Sequence, residues 1–219
     1  MYRPVLALLL LAALSLACSL GGAAPQAAGG SEPPTESGVL YSDDFSDTSS
    51  GWDRQTTSEG VTDYADGVYR IYVNDTDVDY WANPGESFTD VRVEVEATKV
   101  GGPDDNDLGV ICRYVDIDNF YFGLISSDGF AVIGKVKDGE QAGISSDGME
   151  PVEGINLGDA TNLIRLDCVG ETLTLFVNGA QIAAVTDSDF TEGDVGLMAG
   201  TYEVTGTDIH FDNFVVRQP

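Results

Sequence analysis

From residue 39 onward the chain alternates apolar and polar positions with a period of two, and no stretch of ten residues carries a helical period. The alternation predicts strands over 39–45, 61–64, 68–73, 78–82, 91–100, 108–115, 120–126, 130–136, 162–169, 172–177, 181–186, 195–199 and 208–216. Turn residues fall between them: Asp66-Gly67, Asp128-Gly129, Asp138-Gly139, Asp147-Gly148 and Asn178-Gly179. The last is the strongest signal, because Asn-Gly supplies the two positive φ angles of a type I′ turn and alternating apolar residues flank it. A dozen short strands with frequent turns predict an all-β, two-sheet antiparallel sandwich. Its densest part is 107–136, DLGVICRYVDIDNFYFGLISSDGFAVIGKV, three successive strands broken at Asp116–Asn119 and at Ser126–Gly129.

The first residues follow a different pattern. Arg3 precedes an apolar run over 5–14 and then small residues, the organisation of an export signal. The run is short for a membrane-spanning helix, which needs about 20 residues. It ends in Ser15-Leu16-Ala17-Cys18, which resembles a bacterial lipobox. That resemblance implies a signal peptide over 1–17 and a lipidated Cys18 that anchors the chain to the outer face of a membrane; an ordinary secretory signal with a chance cysteine is the alternative. Residues 19–38, rich in Gly, Ala, Pro and Ser, read as a flexible tether. Residues 39–219 are then one domain.

Charge narrows the partners. The chain has 10 basic and 37 acidic residues. Removing Arg3 with the signal leaves nine basic residues and a net charge of −28. Nucleic acid would repel such a chain, so no nucleic-acid partner is expected. The charge is spread over the loops, where it serves solubility.

Cys112 and Cys168 are the cysteines of the folded part. Cys168 shares a strand face with Ile164 and Leu166, and Cys112 shares one with Val110 and Tyr114, so both should face the core. Two core-facing cysteines in an exported protein suggest a disulfide; two free buried thiols would give the same pattern. Arg113, of opposite parity to Cys112, should then face outward.

Several motifs resemble the concanavalin A-like lectin/glucanase jelly rolls. They are Asp43-Asp44-Phe45-Ser46-Asp47 with Gly51-Trp52, Cys112-Arg113-Tyr114 with Asp118-Asn119-Phe120-Tyr121, and Phe176-Val177-Asn178-Gly179. Gly193-Asp194-Val195-Gly196-Leu197 and Phe211-Asp212-Asn213-Phe214 complete the set. The likeness covers roughly 40–217 and is nearest to laminin G-like and 3-keto-disaccharide hydrolase-like domains. It implies two curved sheets face to face, first and last strands side by side, and a concave sheet forming a groove of the kind that often binds glycans.

Catalysis finds little support. The glucanases of this fold carry Glu-x-Asp-x-x-Glu, with alternate carboxylates facing the sugar. Here Glu94-Val95-Glu96 comes nearest and no third acid follows. One histidine, His210, cannot build a relay or a multi-histidine zinc site. A glycoside hydrolase of the keto-sugar type remains an alternative to a non-catalytic module, as does an interaction domain with no small ligand. For calcium, Asp75-x-Asp77-x-Asp79 with Glu86 imitates an EF-hand loop, but Tyr80 stands where glycine belongs and strands flank it. The better candidates for a structural calcium are Asp43, Asp44 and Asp212, brought together if the terminal strands pair; hydrogen bonds from loop backbone are the competing explanation. For a glycan, aromatic rings would stack on the sugar while polar groups take its hydroxyls. Trp81, Tyr121, Arg113, Asp118, Asn119 and Lys135 are the candidates, each weighed against ordinary packing.

Overall fold

A computed structural model describes residues 38–219; the signal, Cys18 and nearly all of the tether lie outside the described residues. In chain order the strands are β1 (Val39–Asp43), β2 (Gln55–Thr56), β3 (Gly60–Ala65), β4 (Val68–Val73), β5 (Val78–Ala82), β6 (Val91–Gly101), β7 (Asn106–Asp116) and β8 (Asn119–Ile125). They continue with β9 (Phe130–Lys137), β10 (Glu140–Gly143), β11 (Glu150–Pro151), β12 (Asn162–Val169), β13 (Thr172–Val177), β14 (Ala180–Thr186), β15 (Asp194–Thr201) and β16 (Thr207–Arg217). There is no helix among the described residues.

Two antiparallel sheets result. The first runs β14-β13-β12-β6-β16-β4-β3-β2, with β1 also paired to β16. The second runs β10-β9-β8-β7-β15-β5, with β11 paired to β9. The terminal strands lie side by side, Asp43 opposite Phe214. Period-two patterning decides the faces. In β6, Val91, Val93, Val95 and Ala97 are buried, while Arg92 and Glu96 are exposed. Ile164, Leu166 and Cys168 of β12 meet them from the neighbouring strand in register. Each large apolar side chain buried this way contributes roughly 1.5–3 kcal/mol.

Cys112 and Cys168 form a disulfide that joins β7 of one sheet to β12 of the other, Cα atoms 6.8 Å apart. They stand 56 positions apart in the sequence. Closing that loop stabilises by about 4 kcal/mol in the chain-entropy account. Near the paired termini, Phe45, Trp52, Tyr64, Tyr69 and Phe214 pack edge to face or tilted with centroids 4.9–6.3 Å apart. The Gly-Trp motif is thus a packing element.

Three of the five turn dipeptides adopt paired positive φ angles: Asp66-Gly67, Asp138-Gly139 and Asn178-Gly179. At 128–129 only the glycine does, and at 147–148 neither residue does.

The second sheet departs from the open groove that the resemblance implies. It is curled, and its outer side holds a core of its own: Ile111, Phe120, Phe122, Leu124, Val132, Val136 and Met198, none more than 7% exposed. Trp81, Tyr114 and Met149 pack at its margin. Side chains fill the concavity because β8 and β9 carry apolar residues on both faces rather than alternating.

Candidate functional site

The meander β7–β9 builds most of the region where ligand contacts were expected. Between Cys112, opposite Tyr121, and Asp116, opposite Asn119, β7 inserts two extra residues. Arg113 starts this bulge with φ +52°. A bulge breaks the alternation of faces, so the expected outward Arg113 is overturned: it is 2% exposed. Its Nε donates to the Thr89 carbonyl at 3.3 Å, Nη1 to the Phe190 carbonyl at 3.0 Å and Nη2 to Asp90 Oδ1 at 3.1 Å. Every guanidinium nitrogen is spent on the protein.

Tyr121 and Lys135 close on the same loop. The Tyr121 ring is fully buried and its hydroxyl donates to Asp187 while accepting from the Phe190 amide at 3.1 Å. Burial and the hydrogen bond to Asp187 push its phenol up to about 12. The Lys135 ammonium bridges Asp187 and Asp189. Burial alone would lower the Lys135 pKa, but the two carboxylates outweigh it and hold it above the ordinary value. Arg113, Tyr121 and Lys135 are therefore brought together as a clamp on residues 187–190.

Asp118 and Asn119 shape the β7–β8 turn. The Asp116 carboxylate accepts from the Asp118 amide at 2.9 Å and from Asn119 Nδ2 at 2.8 Å, and the Asn119 carbonyl accepts from the Asp138 amide at 3.2 Å.

The aspartates of the paired termini also have defined partners. Asp43 accepts from the Phe45 amide at 2.8 Å, from Trp52 Nε1 at 2.9 Å and from Ser50. Asp44 accepts from Ser46, and Asp212 from the amide of Asn213. No three His, Cys, Asp or Glu side chains among the described residues are grouped so as to hold a metal.

Of the expected glycan contacts, Trp81 lines a cleft. That cleft, about 470 Å³, opens beside β5, the edge strand of the curled sheet. Trp81, Tyr80, Asp53, Arg54, Gln55 and Thr62 line it, and Ile117, 62% exposed, stands over it from the β7–β8 turn. Trp81 is half-buried and braced by Phe120, ring centroids 5.4 Å apart. Tyr80 can lie flat on β3 because residue 60 is glycine: a Cβ there would stand 2.6 Å from the ring. Arg54 is held by Asp63 at 2.6 Å. The cleft thus offers two aromatic surfaces with carboxylate, amide, hydroxyl and guanidinium groups at its rim. Sequence reasoning missed Asp53, Arg54 and Gln55, which lie in a loop and a two-residue strand without a period to read.

A second cleft, about 710 Å³, lies on the other side of the β7–β8 hairpin, lined by Gly85–Ser87, Tyr114–Val115 and Asp189–Asp194. Asp194 accepts from the amides of Gly85, Glu86 and Val195 at 2.8–3.0 Å, and burial raises its carboxyl to about 6.

No protein-family model matches this sequence, and no curated protein does. Solved structures match its shape. The carbohydrate binding module CBM66 from Bacillus subtilis is 18% identical, with 77% of this chain and 96% of that one covered and a TM-score of 0.54. A protein of unknown function with a galectin-like fold, also from Bacillus subtilis, is 13% identical, with 83% and 96% covered and a TM-score of 0.61. The catalytic domain of an endo-1,3-beta-glucanase (laminarinase) from Thermotoga petrophila RKU-1 is 12% identical, with 82% and 97% covered and a TM-score of 0.56. The fold is the all-β jelly-roll sandwich that these structures share, and likeness at this level of identity carries the fold alone.

Proposed function

We propose that this chain is an exported lipoprotein, anchored through Cys18, whose jelly-roll domain binds a glycan without catalysis in the cleft of Trp81. The observation that carries the reading is the cleft itself: an indole and a phenol beside polar groups, the pairing that holds sugar rings and hydroxyls. A groove along the concave sheet is not needed, since that space is filled. The solved neighbours lend support by analogy, one being a carbohydrate binding module.

A hydrolase reading needs two carboxyl groups about 5–5.5 or 6.5–9.5 Å apart around the scissile bond. One close pair of acids, Asp79 and Asp107, does not meet it: Asp79 Oδ1 and Asp107 Oδ2 lie 1.8 and 2.7 Å from one point, so they are at most 4.5 Å apart.

A glycan array probed with the purified chain tests the proposal. Binding to at least one glycan is expected, weakened at least tenfold by Trp81→Ala with the fold retained by circular dichroism. An array with no binder overturns it, as does binding indifferent to Trp81→Ala.

A further inference from the structure

Asp79 of β5 and Asp107 of β7 both stand opposite Gly200 of β15, one on each side. Gly200 has no side chain, and the carboxylates converge over it. Asp79 Oδ1 and both oxygens of Asp107 lie 1.8, 2.7 and 2.9 Å from the place where a Cβ of residue 200 would stand. Asp107 is 2% exposed, and its Oδ1 is buried with no hydrogen-bond partner. Asp79 is half-buried, with the Gln141 side chain beside it from the far edge strand β10.

Two anions in one dry space repel and lose their hydration, so something must neutralise them. No Lys or Arg among the described residues supplies it. The Lys and Arg ion pairs of the described residues go to other carboxylates, such as Asp63, Asp208, Asp167, Asp104 and Asp187. The neutralising charge must come from outside, as a proton or as a metal cation. A proton shared between the carboxyl groups makes a single contact and leaves one oxygen of Asp107 without a partner. A cation seated on that carboxylate engages both oxygens.

We propose that Asp79 and Asp107 hold a hard divalent cation, calcium by the chemistry of an all-oxygen donor set completed by water. The approach is electronegative: Asp77 and Asp105, each two residues before a ligand, line a cleft of about 560 Å³ with Asp128 and Glu203. The cation ties β5 to β7 across β15. Two carboxylates make a weak site, in the range of extracellular calcium modules with dissociation constants of about 0.1–1 mM. Asp79 also lines the cleft of Trp81, but the calcium test reads stability in the absence of any glycan and so fails or stands apart from the glycan reading.

Thermal unfolding of the chelator-treated chain at neutral pH, with and without 10 mM CaCl2, is the test. Calcium is expected to raise the midpoint by roughly 3–10 °C. Asp107→Asn, nearly isosteric and free of the buried charge, should fold and lose the response, while Asp43→Asn, at the paired termini, should keep it. No calcium response in the unaltered chain overturns the site. So does an undiminished response in Asp107→Asn, which would place the ion elsewhere. A midpoint that rises on acidification but ignores calcium would assign the pair to a shared proton and overturn it equally.

Discussion

Two sets of buried charge in this domain are handled in opposite ways. Arg113 and Lys135 are enclosed, and both are matched by the protein: two carbonyls and Asp90 for the first, Asp187 and Asp189 for the second. Asp79 and Asp107 are enclosed on the other face of the same sheet, and no Lys or Arg ion pair among the described residues reaches either one. A buried ion with its full complement of partners is a fastening. Two enclosed ions of like sign point to a partner that the described residues do not contain.

Three measurements would break or sharpen that contrast. The largest effect belongs to Arg113. Arg113→Ala leaves two loop carbonyls without their donor and removes the bond to Asp90, which is itself 48% exposed, and should cost about 2–4 kcal/mol in urea unfolding. A loss below about 1 kcal/mol would mean that the clamp is not structural. Lys135→Met should cost less, about 1–3 kcal/mol, because its site is partly open to solvent, and residues 187–190 should exchange amide hydrogens faster. Unchanged exchange would detach Lys135 from the loop.

The smallest effect is a slope. Burial raises the carboxyl of Asp79, and burial with the charge of Asp79 raises Asp107 well above the ordinary range. An acid whose folded pKa exceeds its unfolded value contributes stability that is fully present below the unfolded value, near 3.9, and is lost as pH rises through the folded one. The metal-free chain should therefore lose stability between about pH 4 and neutrality, and Asp107→Asn should flatten that loss. An equally steep slope in the variant would show that these groups are not its source.

How much could be read beforehand follows from what each feature depends on. Turns were legible where a dipeptide carries its own backbone preference, as Asn178-Gly179 does. The disulfide was legible as two cysteines on core faces, although the pairing needed the two sheets to be set face to face. Arg113 was misread because parity counts from one residue to the next, and the two extra residues in β7 reset the count. Trp81, read from the sequence as a candidate glycan contact, lines a cleft, but Asp53 and Arg54 beside it sit where no period speaks. The Asp79–Asp107 pair was invisible. Asp79 entered only as part of an EF-hand imitation, and its true neighbour is joined to it through β15, more than ninety residues further along the chain.

The chain by itself determined an all-β sandwich, its turn positions, its buried faces and its acidic surface. These follow from local φ preferences and from which side chains avoid water, and both act along a few residues at a time. Only the tertiary structure decided that the concave side is filled, that Arg113 faces inward, and that two carboxylates meet over a glycine. Those depend on sheet curl, on one bulge and on strand order, which pair residues far apart in sequence and leave no periodic trace within any single strand.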